Sequence, residues 1–508
     1  MHEALSEPFL SQLSELLTAR LGIHFPRDRW NDLGRAIDAA AVDLGFKAGG
    51  PFVQWLLSSP LQRRELEILA AHLTVGETYF FREPQIYEAL ETRILPDLIR
   101  SRRGRNQSLR IWSAGCATGE EPYSIAILLH NLIPDFSDWN ITILATDINP
   151  RFLQKAAEGI YTEWSFRGVP AWVKQTCFKS RPKGRWEILP CVRRMVTLMY
   201  LNLAEDVYPA LANGTNAMDL IFCRNVLMYF SPPRAKRVIE NLRHCLVDGG
   251  WLAVSSAEAS HTLFAAFESL NIRGATFYRK SDEYVKRVRE ANVLYWEIGK
   301  PALPVEPLEP LTDVPEVARP VSDDIVLPPA VHEAAPPAAE VEPDPYRDAC
   351  ALFRQGNYGA AADNLAAMLS ADPQNTRAME LLARALANQG RLAEACEWCE
   401  RAIKSDKLNA GCHYLLATVQ QERGQPADAV ASLKRAIYLD PKFVLAHFAM
   451  GNLATLQGET GKADRHFANA LAFLGDYQPE DMLPESEGMT AGRLREIIEA
   501  VMFAREAA

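Results

Sequence analysis

The 508-residue sequence predicts an α/β protein: a helical N-terminal domain, a doubly wound, Rossmann-like sheet with a small antiparallel insert, a linker and an all-α solenoid. Three observations predict it. Short apolar strands alternate with helical stretches between about 109 and 260, as a parallel sheet with crossover helices requires. A stretch rich in proline and acid interrupts the chain from Pro301 to Pro345. Beyond it, small residues recur every 34 positions.

Residues 1–82 read as the helical N-terminal domain. At its end "LTVGETYFFREPQIY" (Leu73 to Tyr87) sets Tyr79, Phe80 and Phe81 in a row ahead of Arg82 and Glu83. Residues 83–280 carry the sheet. A first strand, Leu109 to Trp112, runs into a turn with Gly115 and Gly119, then a helix opened by Glu120, Glu121 and Pro122. Small residues after a first strand let a cofactor approach the backbone, yet the pattern is not G-x-G-x-x-G. Glutamates at the helix start repel a pyrophosphate and welcome a cationic group such as an amine or a sulfonium. A second strand, in "WNITILATDINP", ends at Asp147, placed either to accept from two ribose hydroxyls or only to cap a helix. "AMDLIFCRNVLMYF" reads as a strand ending in Asn225, and "VIENLRHCLVDGGWLAVSSAE" as helix, Gly-Gly turn and strand. In such a sheet ligands lie at the carboxyl ends of the strands.

Composition narrows the function. A net charge of −10 opposes general nucleic-acid binding, which needs clustered cations. "RSRRGR" (Arg100 to Arg105) reads as a helix C-terminus and a solvated loop. No apolar run reaches the roughly 18–20 residues of a membrane span, and "MHEALSEPFL" is not a signal peptide, so a cytoplasmic location is expected. Nine cysteines lack disulfide spacing, and Cys396 and Cys399 fall mid-helix; no metal site is expected.

Residues 281–345 read as a closing segment, "DEYVKRVREANVLYWEIGK", then a linker. From 301 to 345 there are twelve prolines and ten acidic residues against Arg319 alone, too little apolar surface to offset ordering. A disordered tether that fixes no geometry follows. Gly356, Gly390, Gly424 and Gly458 then keep a 34-residue period, as do Ala361, Ala395, Ala429 and Ala463, and Ala349, Ala383, Ala417 and Gly451. Four units over 346–474 resemble tetratricopeptide repeats, with 475–508 supplying a capping helix. A groove for a protein partner, unnamed by the sequence, follows.

"GETYFFREP", "WSAGCATGEEPYSIA", "ATDIN", "LNL" and "IFCRNVLMYF" stand in that order over residues 5 to 280. Together they resemble the chemotaxis receptor glutamate methyltransferase family (CheR-type), class I enzymes that use S-adenosylmethionine. The resemblance implies that Thr78 and Arg82 contact the cofactor and that Arg82 also faces the reaction centre. It implies Glu121 for the methionyl amino group and Asp147 for the ribose. Asn202, Leu203, Asn225 and Val226 would line the adenine and methyl-donor side, and Tyr229 would stand near the acceptor. The substrate implied is a methyl-accepting chemoreceptor, with recruitment to receptor arrays as its setting. The site reads "CRNV" where amine methyltransferases carry N/D-P-P-Y, which disfavours nitrogen acceptors.

The sequence also departs from the family. Gly76 stands where several relatives have a cofactor-touching asparagine. Asp28, Asp32, Asp38 and Asp43 offset Arg27, Arg29 and Arg35 in a helix that is basic in receptor-methylating relatives. The family's small antiparallel subdomain is expected over Phe166 to Leu203; whether it holds a receptor tail is open. Two rivals stand beside the enzyme reading: a cofactor-binding adaptor with weak turnover, and a carboxyl methyltransferase for another acceptor.

Overall fold

The computed structural model describes residues 6–287, apart from 48, 60, 62 and 105–106, and residues 344–506. The proline-rich linker, up to residue 343, lies outside the described residues. So does most of the expected closing helix, of which 282–287 are helical.

Four helices open the chain: Glu7–Arg20, Trp30–Asp43, Gly49–Ser58 and Arg63–Leu73. Leu13, Leu17, Leu33, Ile37, Phe52 and Leu69 face inward and close one core. The bundle meets the next domain tightly. A side chain on Gly22 would lie 2.3 Å from Ala204 Cβ.

The strands are β1 (Ser108–Ala114), β2 (Asn140–Asp147), β3 (Ile160–Thr162), β4 (Phe178–Arg181), β5 (Arg185–Ile188), β6 (Val196–Tyr200), β7 (Met218–Phe222), β8 (Leu246–Ala253), β9 (Glu268–Ile272) and β10 (Ala275–Arg279). Seven form one sheet in the order β6-β2-β1-β7-β8-β10-β9. The first five of these run parallel, and β10 is antiparallel to both neighbours. Every residue of β1 and of β7 is buried, as expected where helices cover both faces. Strand order reverses between β1 and β7, which opens a crevice beyond their carboxyl ends.

Several readings need correction. The small antiparallel sheet, β3-β5-β4, begins at Ile160 rather than Phe166. Val196–Tyr200, expected inside it, is β6 of the large sheet. The strand expected to end in Asn225 ends at Phe222, where a turn takes over. The Gly-Gly turn is no turn: Gly249 and Gly250 lie inside β8, at a register shift against β7. A Cβ on Gly250 would sit 3.0 Å from the Met218 carbonyl oxygen, so the close approach explains the glycine. "RSRRGR" is also more than a solvated loop, since Arg102 forks onto buried Asp219 and Arg103 onto Asp135.

Beyond residue 344 four helix pairs stack: Pro345–Arg354 with Tyr358–Ala371, Thr376–Asn388 with Leu392–Ser405, Ala410–Glu422 with Pro426–Leu439, and Val444–Leu456 with Thr460–Phe473. The period-34 glycines all take left-handed φ of 70–76° in the turns inside each pair. At the helix crossings Ala349, Ala383 and Ala417 are buried, and a Cβ on Gly451 would lie 2.5 Å from Phe467. Ala491–Glu506 packs Leu494 and Ile498 onto the last pair.

The expectation of a tether without fixed geometry is overturned, because the repeats touch the α/β unit directly. Their glycine turns meet the amino ends of the strands, opposite the crevice: Gly390 at Val247 and Ala217, Gly424 at Asn140. Asn140 Nδ2 donates to the Glu422 carbonyl at 2.7 Å, and Asn216 Nδ2 to Glu422 Oε2 at 3.1 Å. Arg110 Nη2 lies 3.7 Å from Glu422 Oε1. Leu211 is buried with Leu382, Leu386 and Leu415 in one cluster.

Glu422→Leu therefore leaves Arg110 buried without its acid. The expected loss is about 3 kcal/mol, read as a lower urea midpoint of the full chain. An unchanged midpoint would mean that the contact does not form in solution.

Candidate functional site

The crevice is built by three backbone turns. β1 runs into Gly115, at φ +85°, whose missing Cβ would fall 2.3 Å from Val226 Cγ2. Ala117 follows at φ +46°, and its N–H donates to Asp147 Oδ2 at 2.8 Å. At the end of β7 Asn225 takes φ +58°. Phe81 and Glu83 are left-handed too, at φ +56° and +61°. Non-glycine residues in this region persist only where their surroundings enforce them, and such strain gathers at functional sites. The enforcers are visible. Glu258 accepts the Asn225 and Val226 N–H groups at 2.7 and 2.8 Å, and Ser124 Oγ accepts the Phe81 N–H at 3.0 Å.

Arg224 joins these pieces. Its side chain is 2% exposed. Nη1 donates to Glu121 Oε2 at 3.0 Å, while Nη2 donates to Glu83 Oε1 at 3.0 Å and to the Arg82 carbonyl at 2.6 Å. Burial opposes its charge; Glu121 and Glu83 overturn that and leave its pKa above the ordinary arginine value. Burial raises the Glu121 carboxyl in turn, with Arg224 opposing. Ser113 Oγ donates to the other Glu121 oxygen at 2.8 Å, so the carboxylate is oriented on both sides. Neighbouring Glu120 turns away and accepts from Thr118 and Ser165.

The structure gathers Arg82, Glu121, Asp147, Asn225 and Val226 around one crevice. Asp147 accepts from Ala117 and Asn149 N–H groups, one on each oxygen. Burial pushes its carboxyl up to about 6 against those donors. Arg82 Nη1 donates to the Glu77 carbonyl at 2.7 Å, and its guanidinium lies 5.9 Å from the Tyr79 ring. Among the described residues no carboxylate lies within ion-pair distance of it, although Glu121 is near enough to feel its charge. Thr78 lies half-buried in this loop. Leu203 is buried against the sheet. Asn202 is 2% exposed and its amide is committed: Nδ2 donates to the Arg20 carbonyl and to Glu205, and Oδ1 accepts the Ala204 N–H. Tyr229 accepts the His24 N–H on its carbonyl and lies under the Arg29 guanidinium, on the bundle side.

The aromatic run divides its work. Phe80 is buried against Phe166, Tyr161 and Phe178 of the small subdomain, and its N–H donates to the Ser165 carbonyl. Phe81 packs on Tyr87, and Tyr79 faces Arg167 at 3.9 Å. Gly76 is explained by its neighbour, since a Cβ there would lie 2.5 Å from Phe152 Cζ. Sequence reading missed Arg224, Glu258 and Phe152. Arg224 stands inside the quoted "CRNV", but its partners lie 103 and 141 positions away.

Residues 76–275 match the family described as "CheR methyltransferase, SAM binding domain". Chemotaxis protein methyltransferase 2 of Vibrio cholerae is 36% identical over 216 residues, covering 42% of this chain and 73% of its own. The chain belongs to the CheR methyltransferase family. Chemotaxis protein methyltransferase 1 of Pseudomonas aeruginosa is 33% identical, with coverage of 46% and 84%. A probable biofilm formation methyltransferase, WspC, of the same species is 29% identical, with coverage of 55% and 63%. Residues 346–410 and 410–443 match tetratricopeptide repeats.

S-adenosylmethionine is the cofactor of this CheR domain. The residues present fit it. Two oriented carboxylates, Glu121 at the start of the helix after β1 and Asp147 at the end of β2, stand beyond the carboxyl ends of adjacent parallel strands as acceptors for an amine and for ribose hydroxyls. No helix among the described residues is long and apolar enough to cross a membrane.

Two outcomes check the geometry. Arg224→Met strands Glu83 and Glu121 and is expected to cost about 3–5 kcal/mol in urea unfolding; an unchanged midpoint would remove it as the keystone. Gly76→Asn is expected to destabilise the native chain but not the Phe152→Ala background. A double-mutant cycle should show coupling above about 1 kcal/mol; simple additivity would show that Phe152 does not hold that space.

Proposed function

We propose that the protein transfers methyl groups from S-adenosylmethionine to glutamate side chains of a methyl-accepting, chemoreceptor-like protein. The observation that carries this is the contrast between two neighbouring arginines. Arg224 is ion-paired with two carboxylates, whereas Arg82, among the described residues, makes no ion pair and is held by a carbonyl and a ring face. A planar guanidinium fork with no direct ion pair suits an incoming carboxylate.

The cofactor supplies a methyl group already activated on a sulfonium. A glutamate acceptor is ionised near neutral pH, so proton removal is not required. The chain's task is to orient and to exclude water. Arg82 holds the acceptor carboxylate. Glu121, fixed by Ser113 and Arg224, accepts from the methionyl amine, and Asp147 accepts from the ribose hydroxyls. Thr78, Leu203, Asn225 and Val226 line the cofactor. Asn202 acts by shaping the 202–204 turn through its committed amide. Tyr229 borders the acceptor side. Phe80 anchors the covering loop to the small subdomain.

Incubation with methyl-labelled cofactor and membranes carrying the organism's chemoreceptors should release methanol on base treatment. Arg82→Ala should lose at least about 100-fold in transfer, about 2.7 kcal/mol, while cofactor affinity changes less than tenfold. Unaltered transfer would end the role given to Arg82. Cofactor binding without methanol from any receptor membrane would favour the adaptor reading. Affinity also tests Asp147. The ionised carboxylate is the better acceptor, so the Kd for S-adenosylhomocysteine should rise as pH falls through about 6, approaching tenfold per pH unit. A flat profile from pH 5 to 8 would contradict that assignment.

A further inference from the structure

Between the last repeat and the terminal helix, residues 482–490 form a closed loop. Met482 and Thr490 bridge, the Leu483 N–H donates to the Met489 carbonyl, and Ser486 Oγ bonds Met489 at both its N–H and its carbonyl. The tip, Glu485-Ser486-Glu487, reaches the first helices of the second and third repeats. Both glutamates clasp Arg384, a side chain 11% exposed on helix Thr376–Asn388. Both take left-handed backbone, at φ +63° and +55°, although neither is glycine. Glu487 Oε2 also accepts the Leu211 N–H of the catalytic unit at 3.0 Å.

The arrangement is unbalanced. Glu380 stands beside the pair, with Asn409 and Cys412 donating to it, and burial raises its carboxyl. Three acids surround one guanidinium. A further acid would not be added; it would replace one. Room exists beside the tip: a cavity of about 260 Å³ is lined by Glu485 and by Asn409, Gly411, Lys442, Phe443 and Tyr477. The tip thus supplies a pair of carboxylates to a repeat face beside a cavity with apolar walls, whose one lysine, Lys442, is paired with Asp476.

We propose that the repeat face around Arg384 is a docking site for an acidic peptide carrying two carboxylates one residue apart, and that Glu485-Ser486-Glu487 is its built-in occupant, displaced when such a peptide binds. Displacement also releases the Leu211 N–H. That residue lies on the same connection, between β6 and β7, as Asn202 and Leu203. Peptide binding is therefore sensed in the catalytic unit. The proposal is independent of which substrate is methylated.

The probe is a fluorescein-labelled peptide, Leu-Pro-Glu-Ser-Glu-Gly-Met-Thr, titrated by anisotropy into the full chain. A tethered occupant competes at high effective concentration, so the unaltered protein should bind weakly. The double variant Glu485→Gln/Glu487→Gln should bind at least tenfold tighter. Adding Arg384→Gln to it should abolish that gain, as should replacing both peptide glutamates by glutamine. The last arm decides even where the Arg384 variant fails to fold. Hydrogen exchange at the Leu211 amide should accelerate when the unaltered chain is saturated with peptide. Equal affinity of the double variant and the unaltered protein would overturn the proposal. So would tight binding of the glutamine peptide.

Discussion

A single desolvated cation organises this candidate site. Arg224 sits at the end of β7, sealed from water, and a buried guanidinium is tolerable only with anions and acceptors around it. Glu83, Glu121 and the Arg82 carbonyl supply them from two other segments. One charge therefore fixes the 76–83 loop, the start of the helix after β1 and the turn after β7 relative to one another. Glu83 extends the reach, since its second oxygen accepts the Ser256 N–H. What Arg224 fixes is where Glu121 points and where Arg82 begins.

Around that charge the backbone is bent into conformations that ordinary residues avoid. Phe81, Glu83, Ala117 and Asn225 are all left-handed, and each is held by a named hydrogen bond or by packing. The strain at these four residues is offset by the buried aromatic cluster of Phe80 with the small subdomain. That subdomain is thus tied to the covering loop and is not a freely hanging insert. The repeats cover the amino ends of the strands, and the same glycine turns that permit helix pairing also permit close docking against Asn140, Ala217 and Val247.

Much of this was legible in the sequence, for physical reasons that can be named. Glu121 and Asp147 are local features: one opens a helix directly after a strand, and the other ends the next strand. The repeat register is periodic and therefore visible. Arg224 was not legible as a keystone, because its meaning comes from partners more than a hundred residues away. Gly76 looked like a lost contact, and only the fold brings Phe152 into the space a side chain would need. The proline-rich stretch suggested two independent bodies. The docking of Glu422 on Arg110 and Asn216 rests on side chains 312 and 206 positions apart in the chain and has no local signature. Nor did the sequence show that the Asn202 amide bonds the N-terminal bundle and its own turn.

The most direct test of Arg224 as organiser is calorimetry with S-adenosylhomocysteine on Arg224→Lys. Lysine keeps the charge but, as a single point of three donors on a flexible stem, cannot span Glu83, Glu121 and the Arg82 carbonyl together. The Kd should weaken at least tenfold, about 1.4 kcal/mol, in a variant whose circular dichroism shows an intact fold. Equal affinity in an intact Arg224→Lys protein would contradict it, for then charge alone, without the fork that links the three segments, would suffice.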